Sequence, residues 1–290
     1  MKIQSVEPSR LERHLSHLCT AVGVRVAGTS SEEAAAAYIE EELLKIGARV
    51  KVETFPIQSR WVQDETLQVR LNGQWQGFPC SLFAGSPGTE GKTLEAPLIF
   101  FEAPVEYARS DLSHLRGKAV VHLGCHIESI EAYRKLIEAK PAFLLVVDVR
   151  YPGNVPLADG LFPAYLKKVG SVPTVNVAYQ HAWRWCVEGA DAARLKVVGG
   201  VKPSGSENVI GELPGEEDKP VIFVGAHHDT QADTVGADDN ATGVAALLEL
   251  GRVLSPLPRR LPIRLISFGA EEQLSVGSSY YVRRHRKEIE

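Results

Sequence analysis

The sequence predicts an α/β fold in which a mixed, mostly parallel sheet carries helices on both faces, with a β-rich segment inserted in the chain. Three observations lead to this prediction. Amphipathic helical patterns occur near both ends of the chain. The nearly continuous apolar run 263–268 is typical of a buried parallel strand. Between about 56 and 206, short β-type runs alternate with Gly, Pro and Asn.

The composition limits the class of protein. The chain has 290 residues, 44% of them hydrophobic and 23% charged, which is typical of a globular protein with room for about two domains. A net charge of -4 indicates no concentrated basic surface, so we expect no nucleic-acid partner. No stretch approaches the roughly 20 apolar residues of a membrane span, so we expect no membrane partner. The oligomeric state stays open.

The start of the chain and its cysteines favour a cytoplasmic protein. Residues 1–8 lack the apolar core of a secretory signal. Cys19, Cys80, Cys125 and Cys186 are irregularly spaced and form no Cys-x-x-Cys pair. We therefore interpret them as reduced thiols rather than as disulfides or a thiolate metal site.

The first segment, 1–55, is predicted to contain two helices and a strand. Apolar residues recur at helical spacing from 8 to 22. Ser30 or Ser31 can cap the second helix. Residues 49–55 alternate polar and apolar side chains, as in a half-buried strand. We assign this segment to the same domain as the end of the chain.

The middle segment, 56–206, is predicted to form a β-rich domain with a few helices. Its predicted strands are 67–71, 96–101, 119–123, 142–148 and 172–177. Asn72-Gly73 is a strong hairpin signal, and a helix is expected from 127 to 139. The histidines His122, His126 and His181 lack metal-ligand spacing, so we interpret them as structural or surface residues.

The third segment, 207–290, returns to longer elements. Its predicted order is strand 209–213, strand 221–225, helix 242–254, strand 263–268 and a last helix 278–289. The first two of these strands are expected to be neighbours joined by a polar loop. The basic run 283–287 is interpreted as the solvated face of the last helix.

Three clusters of acidic residues and histidines crowd the third segment. They are Gly-Ala-His-His-Asp-Thr at 225–230, Gly-Ala-Asp-Asp-Asn-Ala-Thr-Gly at 236–243 and Phe-Gly-Ala-Glu-Glu at 268–272. Each follows or trails an apolar β-type run. Because the carboxyl ends of parallel strands meet at one edge of a sheet, we expect the clusters to converge. Together they predict a metal and catalytic centre.

The residue types in each cluster suit this chemistry. The His227 imidazole can bind zinc while Asp229 fixes its ring, and His228 is expected to point away. Asp238 and Asp239 could simply cap a helix, but carboxylates this crowded favour a nearby cation, and one could bridge two ions about 3.5–4 Å apart. The Glu271-Glu272 pair could divide metal binding and proton transfer, or could merely start an exposed helix.

The order of these motifs, followed by Gly277-Ser-Ser-Tyr-Tyr, resembles the co-catalytic two-zinc aminopeptidases, a family that includes glutamate carboxypeptidase and vacuolar aminopeptidase Y. The match is dense over 208–290 and looser at 23–28. The middle segment resembles the protease-associated domain inserted in several members. The resemblance implies a zinc-exopeptidase-like fold with a protease-associated-like domain at 56–206.

The resemblance also implies roles for individual residues. His227 would bind one zinc ion, Asp239 would bridge two, and Glu272 would bind the other. Glu271 would be the general base, Asp229 would orient His227, and the peptide bond after Asp239 would be cis. The implied reaction releases N-terminal residues from peptide substrates.

The family's site has two further ligands, an Asp and a His, which the resemblance places beyond Glu290. We therefore expect a truncated chain with an incomplete sheet and little or no peptidase activity. Two alternatives stay open: a non-catalytic, receptor-like binding relative, and another zinc hydrolase or acyltransferase of this fold, such as a carboxypeptidase, deacylase or glutaminyl cyclase. The intact His227, Asp239, Glu271 and Glu272 speak against loss of the site by mutation.

Overall fold

The computed structural model describes residues 4–124, 127, 129–157, 163–216 and 219–289. It divides the chain into two compact units. The first comprises Met1–Gln58 and Pro203–Glu290, and the second comprises Ser59–Lys202. The boundaries predicted from the sequence, after 55 and after 206, are close to these. The identity of the second unit as a protease-associated-like domain stays a prediction.

The helices and strands are numbered in chain order. The helices are α1 (Pro8–Ser16), α2 (Ser30–Lys45), α3 (Ala103–Glu106), α4 (Ile130–Glu138), α5 (Pro163–Val169), α6 (Tyr179–Val187), α7 (Thr242–Leu254), α8 (Val276–Arg284) and α9 (Arg286–Ile289). The strands are β1 (Arg49–Leu71), β2 (Gln74–Phe78), β3 (Cys80–Leu82), β4 (Leu94–Glu102), β5 (Ala119–Leu123), β6 (Phe143–Val147), β7 (Thr174–Val177), β8 (Ala192–Leu213), β9 (Ile222–His227) and β10 (Ile263–Phe268). Among the described residues, no helix is long and apolar enough to cross a membrane.

Strand β10 is the centre of the sheet in the first unit. It pairs in parallel with β9 and antiparallel with the end of β8, from Val209 to Leu213. The prediction that 209–213 and 221–225 are neighbours is therefore wrong, because β10 lies between them. The physical reason is that β10 is apolar on both faces, and such a strand is most stable where both faces and both edges are covered.

Helices cover both faces of this sheet, as predicted. On one face, α2 and α7 bury Leu43, Val244 and Leu247 against Leu265 of β10. On the other face, Tyr281 of α8 packs with Ile210 and Ile266. The alternation of side chains along a strand explains why adjacent residues of β10 belong to different cores.

The predicted ends of several helices differ from those observed. Helix α1 ends at Ser16 and continues as a turn of π-helix to Val22. The N-cap of α2 is Thr29, whose hydroxyl accepts a hydrogen bond from Glu32 N at 3.4 Å. The Ser30 or Ser31 cap was therefore wrong, because Ser30 is already inside the helix. Helix α7 has the predicted bounds.

In the second unit, β4, β5, β6 and β7 form a parallel sheet, and β3 adds an antiparallel strand beside β7. Alternate residues of β5 and β6 contribute to two cores. One core contains Trp185 of α6, and the other contains Tyr133 and Leu136 of α4. Strands β1 and β2 form the predicted hairpin, with Asn72 and Gly73 both at positive φ.

Strands β1 and β8 are longer than the sequence predicted. Residues 49–55 and 67–71, expected as separate strands, belong to one strand of 23 residues. Pro56 removes a backbone donor but does not end the strand. Cys125 and His126 lie outside the described residues. Cys19 and Cys186 carry free thiols, in agreement with the interpretation of reduced cysteines.

Two adjacent leucines of α2 test the core that α2 and α7 form against β10. Leu43 is fully buried, whereas Leu44 is 54% exposed. We expect Leu43→Ala to lower the free energy of unfolding by about 2–5 kcal/mol, because it leaves a cavity. The matched Leu44→Ala variant should change it by less than about 0.5 kcal/mol. Urea unfolding followed by circular dichroism measures both, and equal effects would contradict this assignment of the core.

His122 of the second unit is predicted to stay neutral in mild acid. It is fully buried between Phe101 and Tyr107, and burial lowers its pKa to about 4. In the unfolded chain the same imidazole binds a proton near pH 6.5, so below about that pH protonation favours the unfolded state. As the pH falls from about 6.5 towards 4, the free energy of unfolding decreases by an amount on the order of 3 kcal/mol.

Nuclear magnetic resonance of the imidazole nitrogens measures this directly. We expect the His122 ring to remain neutral at about pH 5 in the folded protein and to be protonated at that pH in concentrated urea. Protonation near pH 6.5 in the folded protein would contradict the prediction.

Candidate metal centre

His227 is the last residue of β9, and its ring lies between two carboxylates. Its Nε2 atom is 2.8 Å from Asp239 Oδ1, and its Nδ1 atom is 3.4 Å from Asp229 Oδ1. Asp229 is fully buried, whereas the side chain of Asp239 is 64% exposed. His227 thus turns one ring nitrogen to a buried carboxylate and the other to an accessible one.

The neighbouring His228 faces a different environment, as the sequence predicted. Its ring is fully buried, and Nδ1 lies 3.0 Å from Ser267 Oγ of β10. Burial lowers the pKa of His228 to about 4, so the ring is neutral in mild acid. It belongs to the packing beneath the centre rather than to the centre itself.

The second cluster is a tight loop between β9 and α7. Gly236 has φ 53°, and a Cβ there would collide with the Asp239 carbonyl, so this position requires glycine. Asn240 Oδ1 accepts a hydrogen bond from Gly243 N at 3.1 Å. Asn240 thus serves the helix start, while the Asp239 carboxylate reaches His227 instead of capping the helix. The Asp239-Asn240 peptide bond is cis, as the resemblance implied.

The third cluster is held by Asp229. Its Oδ1 accepts a hydrogen bond from Glu271 N at 2.9 Å, and its Oδ2 accepts one from Glu272 N at 3.0 Å. Glu271 Oε2 then lies 3.7 Å from His227 Nε2. The sequence suggested an orienting role for Asp229 towards His227, but it did not reveal these two backbone contacts.

The charges of the centre are strongly unbalanced. Burial raises the pKa of Glu272, and the charges of Asp229 and Asp239 raise it further. Burial would lower the pKa of His227, but its bond to Asp229 and the surrounding carboxylates outweigh burial and raise it. One imidazole thus faces four carboxylates, an arrangement that favours an additional positive charge.

The structure brings His227, Asp239 and Glu271 into contact, and Glu272 is close enough for its charge to affect His227. Within the described ranges, however, no three His, Cys, Asp or Glu side chains are spaced as a ready metal cage. The assignment of His227, Asp239 and Glu272 as shared ligands therefore stays a prediction.

Two buried charged residues near the centre were not identified from the sequence. Arg25 is fully buried, and its guanidinium donates to the His228 carbonyl at 2.7 Å. Glu32 is 2% exposed, and its carboxylate accepts a hydrogen bond from Ala270 N at 3.2 Å. The only sequence signal was the resemblance at 23–28, which includes Arg25.

Comparison with known proteins agrees with this geometry. Residues 208–290 match the model of peptidase family M28. Aminopeptidase YwaD of Bacillus subtilis (strain 168) is 30% identical over 273 residues, which cover 92% of this chain and 56% of the relative. The chain thus spans little more than half the length of that relative.

Solved structures share the fold of this chain. BSAP, a zinc aminopeptidase from Bacillus subtilis, matches with a TM-score of 0.76 at 25% identity, covering 98% of this chain and 66% of that one. A peptidase M28 precursor from Shewanella amazonensis SB2B matches with a TM-score of 0.81 at 18% identity, covering 97% and 68%. The predicted mixed α/β fold is confirmed.

Asp229→Asn tests the hydrogen bonds that join the loop after β9 to the loop after β10. The amide would place an N–H donor against a backbone N–H of Glu271 or Glu272. We expect the free energy of unfolding to fall by about 1–3 kcal/mol and amide exchange at 271–272 to accelerate. Asp238→Asn, at an exposed carboxylate of the neighbouring loop, is the matched control and should change neither. Equal exchange rates in the two variants would contradict the assigned role.

Proposed function

We propose that the whole protein is a zinc-dependent aminopeptidase that releases N-terminal residues from peptides. The observation that carries this proposal is His227 Nε2, 2.8 Å from Asp239 Oδ1 and 3.7 Å from Glu271 Oε2 within the M28 segment. The names of the relatives, an aminopeptidase and a zinc aminopeptidase, support the reaction class and the metal.

The side chains of the centre fit zinc chemically. Imidazole nitrogen and carboxylate oxygen are common zinc ligands in proteins. Burial, and after it the neighbouring carboxylates, raise the pKa values of Glu271 and Glu272, so negative charge is costly here. A divalent cation bound between these carboxylates would compensate it, which supports metal binding at this edge of the sheet.

The proposed ligands follow from the positions of the side chains. His227 and Asp239 would hold one zinc ion, and Asp239 and Glu272 would hold a second. Asp229 Oδ1 lies 3.4 Å from His227 Nδ1, on the side of the ring opposite Asp239, where it would orient the ring. The count of two ions rests on the resemblance to the two-zinc aminopeptidases.

Glu271 is the proposed general base. Its Oε1 accepts a hydrogen bond from Ser275 Oγ at 3.2 Å, which orients the carboxylate. Burial and nearby carboxylates raise the pKa of Glu271, although His227 opposes this shift. Such a carboxylate can take a proton from the attacking water and pass it to the leaving amine. When bound, zinc supplies a Lewis acid for the scissile carbonyl.

Metal affinity of the 290-residue chain is the direct test of the ligands. We expect zinc titration calorimetry to show binding to the wild type and about a hundredfold or greater loss of affinity in His227→Ala and Asp239→Asn. The physical reason is the removal of a donor atom at the ion. Asp238→Asn, one residue from Asp239, is the matched control and should bind zinc like the wild type.

Glu271→Gln separates metal binding from catalysis. We expect this variant to retain zinc while its turnover of leucine anilide, however low in the wild type, falls about 10²–10⁴-fold. An N-acetylated anilide should not be cleaved by any of these proteins, since an aminopeptidase requires a free α-amine. If His227→Ala and Asp239→Asn both bound zinc as tightly as the wild type, the metal site would be assigned to the wrong residues.

A further inference from the structure

The segment 25–32, which precedes and begins α2, carries two charged side chains in the interior of the first unit. Arg25 is fully buried and Glu32 is 2% exposed. Among the described residues, neither forms an ion pair. Burying a charge without an opposite charge is costly unless hydrogen bonds replace the lost water. The identity of their hydrogen-bond partners therefore shows what these residues hold in place.

Arg25 holds both ends of the loop that joins His227 to Asp239. Its Nε donates to the His228 carbonyl at 2.7 Å, and its Nη1 donates to the Val235 carbonyl at 3.0 Å. Its backbone N–H donates to Thr230 Oγ1 at 2.9 Å, and Thr230 N donates back to the Arg25 carbonyl at 3.1 Å. Only a planar group with several donors can reach carbonyls in different directions in this way.

Glu32 holds the start of the other loop. Its Oε1 accepts hydrogen bonds from Ser206 Oγ at 2.6 Å and from Ala270 N at 3.2 Å, while Oε2 accepts one from Gly28 N at 2.6 Å. Ala270 has φ 49°, which is unfavourable for a residue other than glycine. The carboxylate thus stabilises a strained residue directly before Glu271.

We infer that Arg25 and Glu32 are positioning residues that set the separation between the loop of His227 and Asp239 and the loop of Glu271 and Glu272. Neither side chain contacts the proposed metal position, and each acts through the backbone of one loop. Because both belong to one short segment, they hold the two loops in a common frame. This inference rests on the proposed function, since the separation matters only if the loops bind metal together.

The test uses Arg25→Lys and Glu32→Gln in the 290-residue chain. Lysine keeps the positive charge but loses the planar fork, and glutamine keeps the shape but places an N–H donor among other donors. The matched controls are Arg264→Lys and Glu249→Gln. Arg264 pairs with Glu212 in the sheet, and Glu249 is buried against Arg252 on α7.

Four readouts separate positioning from general packing. Cobalt(II) titration gives metal affinity, and the visible absorption of the bound cobalt reports the geometry of its ligands. Amide exchange of the metal-free protein reports each loop, and urea unfolding reports stability. We expect Arg25→Lys and Glu32→Gln to weaken cobalt binding about 10–100-fold and to alter the absorption bands. The controls should bind cobalt within about twofold of the wild type.

The exchange data tie each residue to its own loop. Arg25→Lys should accelerate exchange at 228–236, and Glu32→Gln should accelerate it at 270–272. The inference would be overturned if Arg25→Lys and Glu32→Gln matched the controls in cobalt affinity, absorption spectrum and amide exchange while losing a similar amount of stability. A wild type that binds no cobalt would contradict the proposed metal ligands of this chain, and the loop-specific exchange would still decide whether the two residues position the loops.

Discussion

The carboxylate of Asp229 accepts hydrogen bonds from the backbone N–H groups of Glu271 and Glu272. Its Oδ1 also lies 3.4 Å from His227 Nδ1. One buried side chain thus joins the end of β9 to the end of β10. The register of these parallel strands places His227 opposite Phe268, so both loops leave the sheet at the same level. The remaining contacts of the centre depend on this link, because it ties the backbone of both glutamates to the carboxylate beside the imidazole.

The same link creates a problem of charge. Asp229, Asp239, Glu271 and Glu272 surround one imidazole, and the burial of Asp229 makes its repulsion of the other three stronger than it would be in water. Arg25 contributes a positive charge beneath the loop, but its donors are directed at carbonyls rather than at these carboxylates. The structure therefore concentrates negative charge at an accessible edge, which is the property expected of a site for divalent cations.

Local patterns predicted much of the first unit. Helix α7 and strand β10 have the bounds expected from periodicity, because both are long apolar elements whose pattern is unambiguous. The predictions failed where local pattern does not determine the outcome: the cap of α2, the continuation of β1 past Pro56, and the order of β8, β9 and β10. The apolar pattern of β10 favours a central place in the sheet, but it does not name the neighbouring strands, which depend on which edges meet after the chain folds.

The sequence by itself determined the three clusters, their residue types and their positions after apolar runs, since these are local properties of the chain. Only the tertiary structure decided that Asp229 supports Glu271 and Glu272, and that Arg25 and Glu32 hold the loops. Arg25 and His228 are 203 residues apart, and Glu32 and Ala270 are 238 apart. Contacts at such separations arise from packing, so the buried residues that position the centre can be recognised only in the folded molecule.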